Sequence, residues 1–213
     1  MAQQQFEFPF FWNYPPYFTL QPVEETRRKQ IALWCELILR WCKHHKVYKL
    51  STDLAEDTAL FANSQINRSL NTEARTVLLQ ALVKQGNGLW LSKAQSQCLI
   101  LWKKMPEWAA ALHQWALNSG MQDAVTSVEE IVEGEDSHGT GMLKSHACSG
   151  YTSATSVSGC LAVAMVSKPM DLAEFEGMAK EIIVEAVKIL EQQRKAKLFK
   201  GTAADDLGIK FFA

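Results

Sequence analysis

Ile31, Trp34, Cys35, Ile38, Trp41 and Cys42 recur at intervals of three and four, the spacing of one helix face. The pattern predicts a helix over roughly Glu24 to His44, and a short amphipathic piece around Phe61 to Leu70. Asn71 has the chemistry of an N-cap, because its side-chain oxygen can accept from the unpaired N–H groups of a helix start. Ala74, Val77, Leu78, Ala81 and Leu82 share a face behind it, and Gly86-Asn87-Gly88 stops that helix. Leu89-Trp90-Leu91 and Cys98-Leu99-Ile100-Leu101-Trp102 flank the polar link Ser92 to Gln97, the pattern of a β-hairpin.

The order then returns without obvious residue identity. Trp108, Ala111, Leu112 and Trp115 mark a helix that opens at Pro106 and ends near Gly120. Thr126 and Glu129 have capping-box spacing for a short helix through about Val132. Met178, Ile182, Ala186, Ile189 and Leu190 line one face of a longer helix. Lys197-Leu198-Phe199-Lys200 and Gly208-Ile209-Lys210-Phe211-Phe212 flank the turn-rich Gly201 to Leu207 as a second hairpin. Three helices and a hairpin, twice over, is the order of two tandem winged-helix domains, expected over 23–104 and 105–213. The fold class is mainly α with small β-hairpins (α+β).

Residues 1–22 stand apart from both units. From Phe6 to Phe18 eight residues are aromatic and three are proline. Proline removes a backbone donor and biases the chain to an extended course, so an extended arm is predicted, neither helix nor central strand. Exposed aromatics are costly in water, so the arm must be covered. A lid folded on its own domain is the bland alternative; docking on another protein is the expectation favoured here. A WW-domain ligand requires Pro-Pro-x-Tyr, and the fourth residue here is Phe18.

Gly141 to Ala173 breaks the second unit. It is rich in Ser, Ala, Gly and Thr, lacks acids before Asp171, and holds no period, so a loop or disorder is expected. Codons for Gly141-Met142 and Leu172-Ala173-Glu174 can contain an intron donor and acceptor whose joining restores a Glu codon. The segment is read as a probable non-family insertion of that origin.

Composition narrows the function. Hydrophobic residues at 47% and charged residues at 21% are ordinary for a soluble protein, and a net charge of -1 offers no overall basic field. The N-terminus lacks a secretory pattern, and the longest bland run, Gly159 to Val166, is far short of the roughly 20 residues a bilayer span needs. Five cysteines suit reduced thiols better than a disulfide framework.

Candidate chemistry thins out on inspection. Cys35 and Cys42, two turns apart on an apolar face, read as buried thiols rather than partners of His44 and His45 in a metal site. His138, His146 and Cys148 have no zinc-type spacing. Of the seven tryptophans, Trp12 and Trp102 are the two whose places suit contact surfaces. Arg75 and Lys84 are the cations of the first unit's third helix. Lys180, Lys188, Arg194, Lys195 and Lys197 in the second are interleaved with Glu181, Glu185 and Glu191, more an ion-paired face than a phosphate track. No nucleophile motif, phosphate-cradling loop or acid/base pair is present, so neither an enzyme nor a cofactor or metal protein is expected. A winged-helix nucleic-acid-binding factor is the alternative reading.

Tyr14-Pro15-Pro16-Tyr17-Phe18-Thr19-Leu20-Gln21-Pro22, Gly88-Leu89-Trp90-Leu91 and Cys98-Leu99-Ile100-Leu101-Trp102 resemble motifs of the small ESCRT-II subunit, the vacuolar protein sorting 25 family. The ending Phe199 to Phe211 is similar to its plant-type form. The resemblance covers almost the whole chain except Gly141 to Ala173. It implies a non-catalytic subunit with two winged helices, present in two copies beside one copy each of two larger subunits, of the vacuolar protein sorting 22 and 36 families. Partner binding is implied for Pro15, Pro16, Tyr17 and Phe18, with Tyr17 the variable position and the others anchored in a pocket of a larger subunit. The second winged helix is implied to contact the first ESCRT-III subunit, of the vacuolar protein sorting 20 family. The setting implied is cytoplasmic, recruited to endosomes in sorting ubiquitinated membrane proteins into multivesicular bodies, without direct membrane insertion or nucleic acid.

Overall fold

The computed structural model describes residues 6–54, 59–133, 175, 177–200 and 207–212. The expected insertion 141–173 lies outside the described residues, as do His138, His146 and Cys148. Elsewhere the chain is a mixture of helix and short strand in two successive units of similar order.

The first unit opens with α1, Glu24–His45, which carries Glu24 and Glu25 in its first turn and Lys43, His44 and His45 in its last, each sign suited to the helix dipole. Then follow β1 (Lys49–Ser51), β2 (Ala62–Asn63), β3 (Arg68–Ser69), α2 (Thr72–Lys84), β4 (Gly88–Trp90) and β5 (Gln97–Ile100). The piece expected as amphipathic around Phe61 to Leu70 is the small β2–β3 hairpin instead. Phe61 and Leu70 are buried at its base, and the apolar residues between them, Ala62 and Ile66, are too few for a helical period. Asn71 caps α2 as expected, its Oδ1 accepting from the Ala74 N–H at 2.9 Å. The helix ends at Gly86, whose φ of +74° places it in the left-handed region. There Gly86 N–H donates to Val83 and Asn87 N–H to Leu82, closing a Schellman turn.

The second unit contains α3 (Met105–Asn118), β6 (Val125–Ser127), α4 (Val128–Glu133), α5 (Lys180–Gln192), β7 (Ala196–Lys200) and β8 (Leu207–Phe211). The expected capping box is shifted by one residue. Ser127 Oγ accepts from the Glu130 N–H, and the Glu130 carboxylate accepts from the Ser127 N–H, while Thr126 adds its hydroxyl to the same carboxylate at 2.8 Å. Thr126 is buried in β6, so its neighbour is the one free to turn into the helix. Ile209 and Phe211 face the core, and Phe199 lays its ring across Gly208, where a Cβ would force that ring to shift.

The two sheets have matching orders, β1-β5-β4 and β6-β8-β7, with the last strand of each unit paired antiparallel to both others in its sheet. α5 ends in the same Schellman geometry as α2, but the left-handed position is Arg194, with φ +60°. A Cβ there costs about 1 kcal/mol, partly offset because glycine has more freedom to lose on folding. Arg194→Gly should therefore raise stability by about 0.5 kcal/mol in urea unfolding; a loss would show that the arginine side chain secures the helix end.

Each unit has its own apolar cluster, and the two adjoin. Tyr48, Leu99 and Leu101 of the first unit are buried in the second unit's cluster, and Trp102 packs against both. Lys49 and Glu181 bridge the units at 2.7 Å. The exposure of that ion pair limits its worth to well under about 1 kcal/mol, so the shared apolar surface is the larger bond between the halves.

Candidate docking face on the N-terminal arm

The arm is not extended. Prolines that pre-set φ near the helical value start a turn as readily as they break a helix, and two short 3-10 turns form, Phe10–Asn13 and Pro15–Phe18. These turns lay the segment over α1, and three of its aromatic side chains enter the first unit's core. Phe11, Trp12 and Phe18 surround Trp34, with ring centroids 5.6, 5.7 and 5.4 Å away. Phe18, expected at the sequence level as an anchor for another chain, is only 3% exposed within this one. Trp12, expected to suit a contact surface, is buried as well.

Polar groups on the body fasten the arm's backbone. Trp34 Nε1 and Gln30 Nε2 both donate to the Tyr17 carbonyl at 2.9 Å. Gln30 Nε2 also reaches the Thr19 carbonyl, and its Oε1 accepts from the Gln21 N–H. Asn63 of the small hairpin donates to the Trp12 carbonyl at 2.9 Å. Gln30 and Asn63 are buried polar residues in an otherwise apolar region, which is costly unless their amides are used as they are here.

What remains outside is a compact apolar ridge. Phe10 is 80% exposed and Tyr14 57%, and Pro15 and Pro16 lie on the surface beside them. Tyr17 is half-buried, its ring between Phe11 and Tyr14. The four predicted partner-binding residues are thus divided: Pro15 and Pro16 outward, Tyr17 between, Phe18 inward. Phe10 and Tyr14 extend the outward face, and the sequence reading did not single them out. Aromatic richness alone cannot tell which rings are turned in.

Other candidates resolve into structural roles. Arg75, one of two cations offered for a phosphate track, is fully buried; it donates to the carbonyls of Leu70 and Asp53 and sits over the Phe61 ring. Lys180 pairs with Glu129 and Lys188 with Glu185, both at 2.6 Å. Cys35, Cys42 and Cys98 are buried free thiols; burial pushes Cys35 up to about 11 and Cys98 up to about 12, and Cys42 higher still with Cys98 beside it, so all three stay protonated and unreactive. Among the described residues there is no group of three or more His, Cys, Asp or Glu able to hold a metal, and no helix long and apolar enough to cross a membrane.

A family model described as ESCRT-II complex subunit matches residues 11–146. Vacuolar protein sorting-associated protein 25 of Arabidopsis thaliana is 42% identical over 206 residues, covering 97% of this chain and 96% of its own length. The chain belongs to the family of ESCRT-II complex subunits. Among solved structures, subunit VPS25 of the endosomal trafficking complex ESCRT-II is similar with a TM-score of 0.70 at 24% identity, covering 95% of this chain and 97% of that one. A chain of the endosomal complex ESCRT-II (VPS22/VPS25/VPS36) is similar with a TM-score of 0.67 at 23% identity, covering 93% and 96%. These likenesses extend over both units, so the shared ESCRT-II fold includes the second half although the family-model match ends at residue 146. The resemblance first read in the Tyr14-to-Pro22 segment and the ending Phe199 to Phe211 is that of a plant-type member.

Proposed function

We propose that this chain is a non-catalytic scaffold subunit of the ESCRT-II complex, acting in endosomal trafficking. It docks on the two larger subunits, of the vacuolar protein sorting 22 and 36 families, through the outward side of its arm. Pro15, Pro16 and Tyr17 with Tyr14 form the contact, and Phe18 serves by pinning the ridge from beneath. The observation that carries this reading is the arm's division into a buried half and an exposed apolar ridge. A lid has no need of an outward face, whereas a ridge already fixed to the body loses little conformational freedom on docking. Large, stiff aromatic rings in such a place are the usual anchors of an interface.

The two units are read as tandem winged helices over 23–104 and 105–213, supported by their matching strand orders, with 141–173 an insertion foreign to the family. The second unit is proposed to contact the first ESCRT-III subunit, of the vacuolar protein sorting 20 family. Two copies join each complex, which is cytoplasmic and recruited to endosomes to sort ubiquitinated membrane proteins into multivesicular bodies. The nucleic-acid alternative loses ground, since Arg75 is committed to the core and Lys180 and Lys188 to ion pairs. Native mass spectrometry of the chain co-expressed with both larger subunits is the direct test. The expected species holds two copies of this chain with one of each partner; recovery of this chain alone would refute the scaffold reading.

A further inference from the structure

The first residues of the arm and the β2–β3 hairpin border an open groove of about 560 Å3. Phe6, Glu7, Phe8 and Trp12 line it from the arm, and Ser64 and Gln65 from the hairpin. The aromatic wall is held in place. Phe8 stacks on Trp12 with centroids 4.3 Å apart, and Phe6 and Phe8 meet edge to face at 5.1 Å. Phe6 also rests on the His44 ring at the end of α1, 5.4 Å away. Asn63 donates to the Trp12 carbonyl at 2.9 Å and to Asn13 Oδ1 at 3.2 Å, so the arm and hairpin form a single body.

Glu7 is the charged residue in this lining, and it is exposed. Among the described residues its carboxylate has no hydrogen-bond or ion-pair partner, and no Lys or Arg lines the groove with it. Aromatic faces carry negative charge density that attracts a cation, and a carboxylate beside them pulls the same way. Arg40 already stands over Phe6, its guanidinium carbon 5.9 Å from the centroid; Phe8 has no such cation among the described residues. The side-chain oxygens of Ser64 and Gln65 can accept from an ammonium or guanidinium. A lysine or arginine suits these walls at both ends, its aliphatic stem on the rings and its charged head at Glu7.

We propose that this groove receives a lysine or arginine side chain from a larger ESCRT-II subunit, its stem on Phe8 and Phe6 and its charge on Glu7. This rests on the docking reading above, because Asn13 lines the groove and its chain neighbour Tyr14 stands on the ridge. The interface thereby continues from the ridge to the start of the arm. A charged contact at that edge sets register and disfavours acidic partners more than it adds raw affinity.

The test titrates the full chain onto the co-purified pair of larger subunits by calorimetry, at low and high salt, with Glu7→Gln, Glu7→Lys and a separate Pro15→Ala/Pro16→Ala variant. Glu7→Gln should weaken binding about fivefold and Glu7→Lys at least about twentyfold. Glu7→Gln should also flatten the salt dependence, while the isolated chain melts as the parent does. Parent-like binding by both Glu7 variants, with loss in the proline variant, would overturn the groove and leave the docking reading intact. Parent-like binding by all three would overturn both. A Glu7→Gln loss with undiminished salt dependence would overturn the groove, because packing rather than charge would then be at stake. A lowered melting temperature in Glu7→Gln would overturn it too, since the cation that Glu7 holds would then belong to this chain.

Discussion

Phe18→Ala is expected to destabilise the isolated chain by about 3–5 kcal/mol, the range for removing a buried Phe from a packed core. The ring lies against Trp12 and Trp34, 5.2 and 5.4 Å between centroids, and its removal leaves a hole under a backbone that cannot collapse. The carbonyls on either side, Tyr17 and Thr19, are tied to Trp34 and Gln30. Urea unfolding followed by tryptophan fluorescence measures the loss, and Trp12 and Trp34 are placed to report it. An arm separable from the domain, as its proline-rich sequence implies, would show no loss; the burial of Phe11, Trp12 and Phe18 is the physical reason to expect otherwise.

Arg75→Ala is expected to cost about 3 kcal/mol. Bonds from a charged donor to backbone carbonyls are worth more than neutral ones, and their loss leaves the acceptors without the donor that satisfied them. Nη1 holds the Asp53 carbonyl at 2.8 Å and Nε the Leu70 carbonyl at 3.1 Å, while the guanidinium covers the Phe61 ring with its carbon 4.9 Å from the centroid. Arg75→Met keeps most of the volume and should cost less than Ala. If both variants unfold at the parent's urea midpoint, Arg75 is not the strut that ties α2 to the segment after β1.

Much of the helical layout was legible because helices write a period. The Trp34-to-Cys42 stripe, the Asn71 cap and the Gly86 stop all appear where the residues placed them. The β2–β3 hairpin was not legible, since two-residue strands are too short to show alternation. The capping box slipped by one because Thr126 and Ser127 share the same hydroxyl chemistry and only burial distinguishes them. The candidate site was half legible. Proline and aromatic richness marked the arm, but its inward and outward sides depend on acceptor and donor pairs nine to fifty-one residues apart, such as Gln21 with Gln30 and Asn63 with Trp12. The burial of Arg75 was not legible for the same reason: its acceptors, Leu70 and Asp53, lie outside its own helix.

The claim at the centre, that the arm is core beneath and docking surface above, is tested most directly by the triple variant Tyr14→Ala/Pro15→Ala/Pro16→Ala. Its side chains lie on the surface, so the melting temperature of the isolated chain should stay at that of the parent. Affinity for the co-purified larger subunits, measured by calorimetry on the same preparation, should fall at least about tenfold, equivalent to about 1.4 kcal/mol. A variant that melts as the parent does and binds at full affinity would contradict the claim, as would one whose binding loss is matched by unfolding.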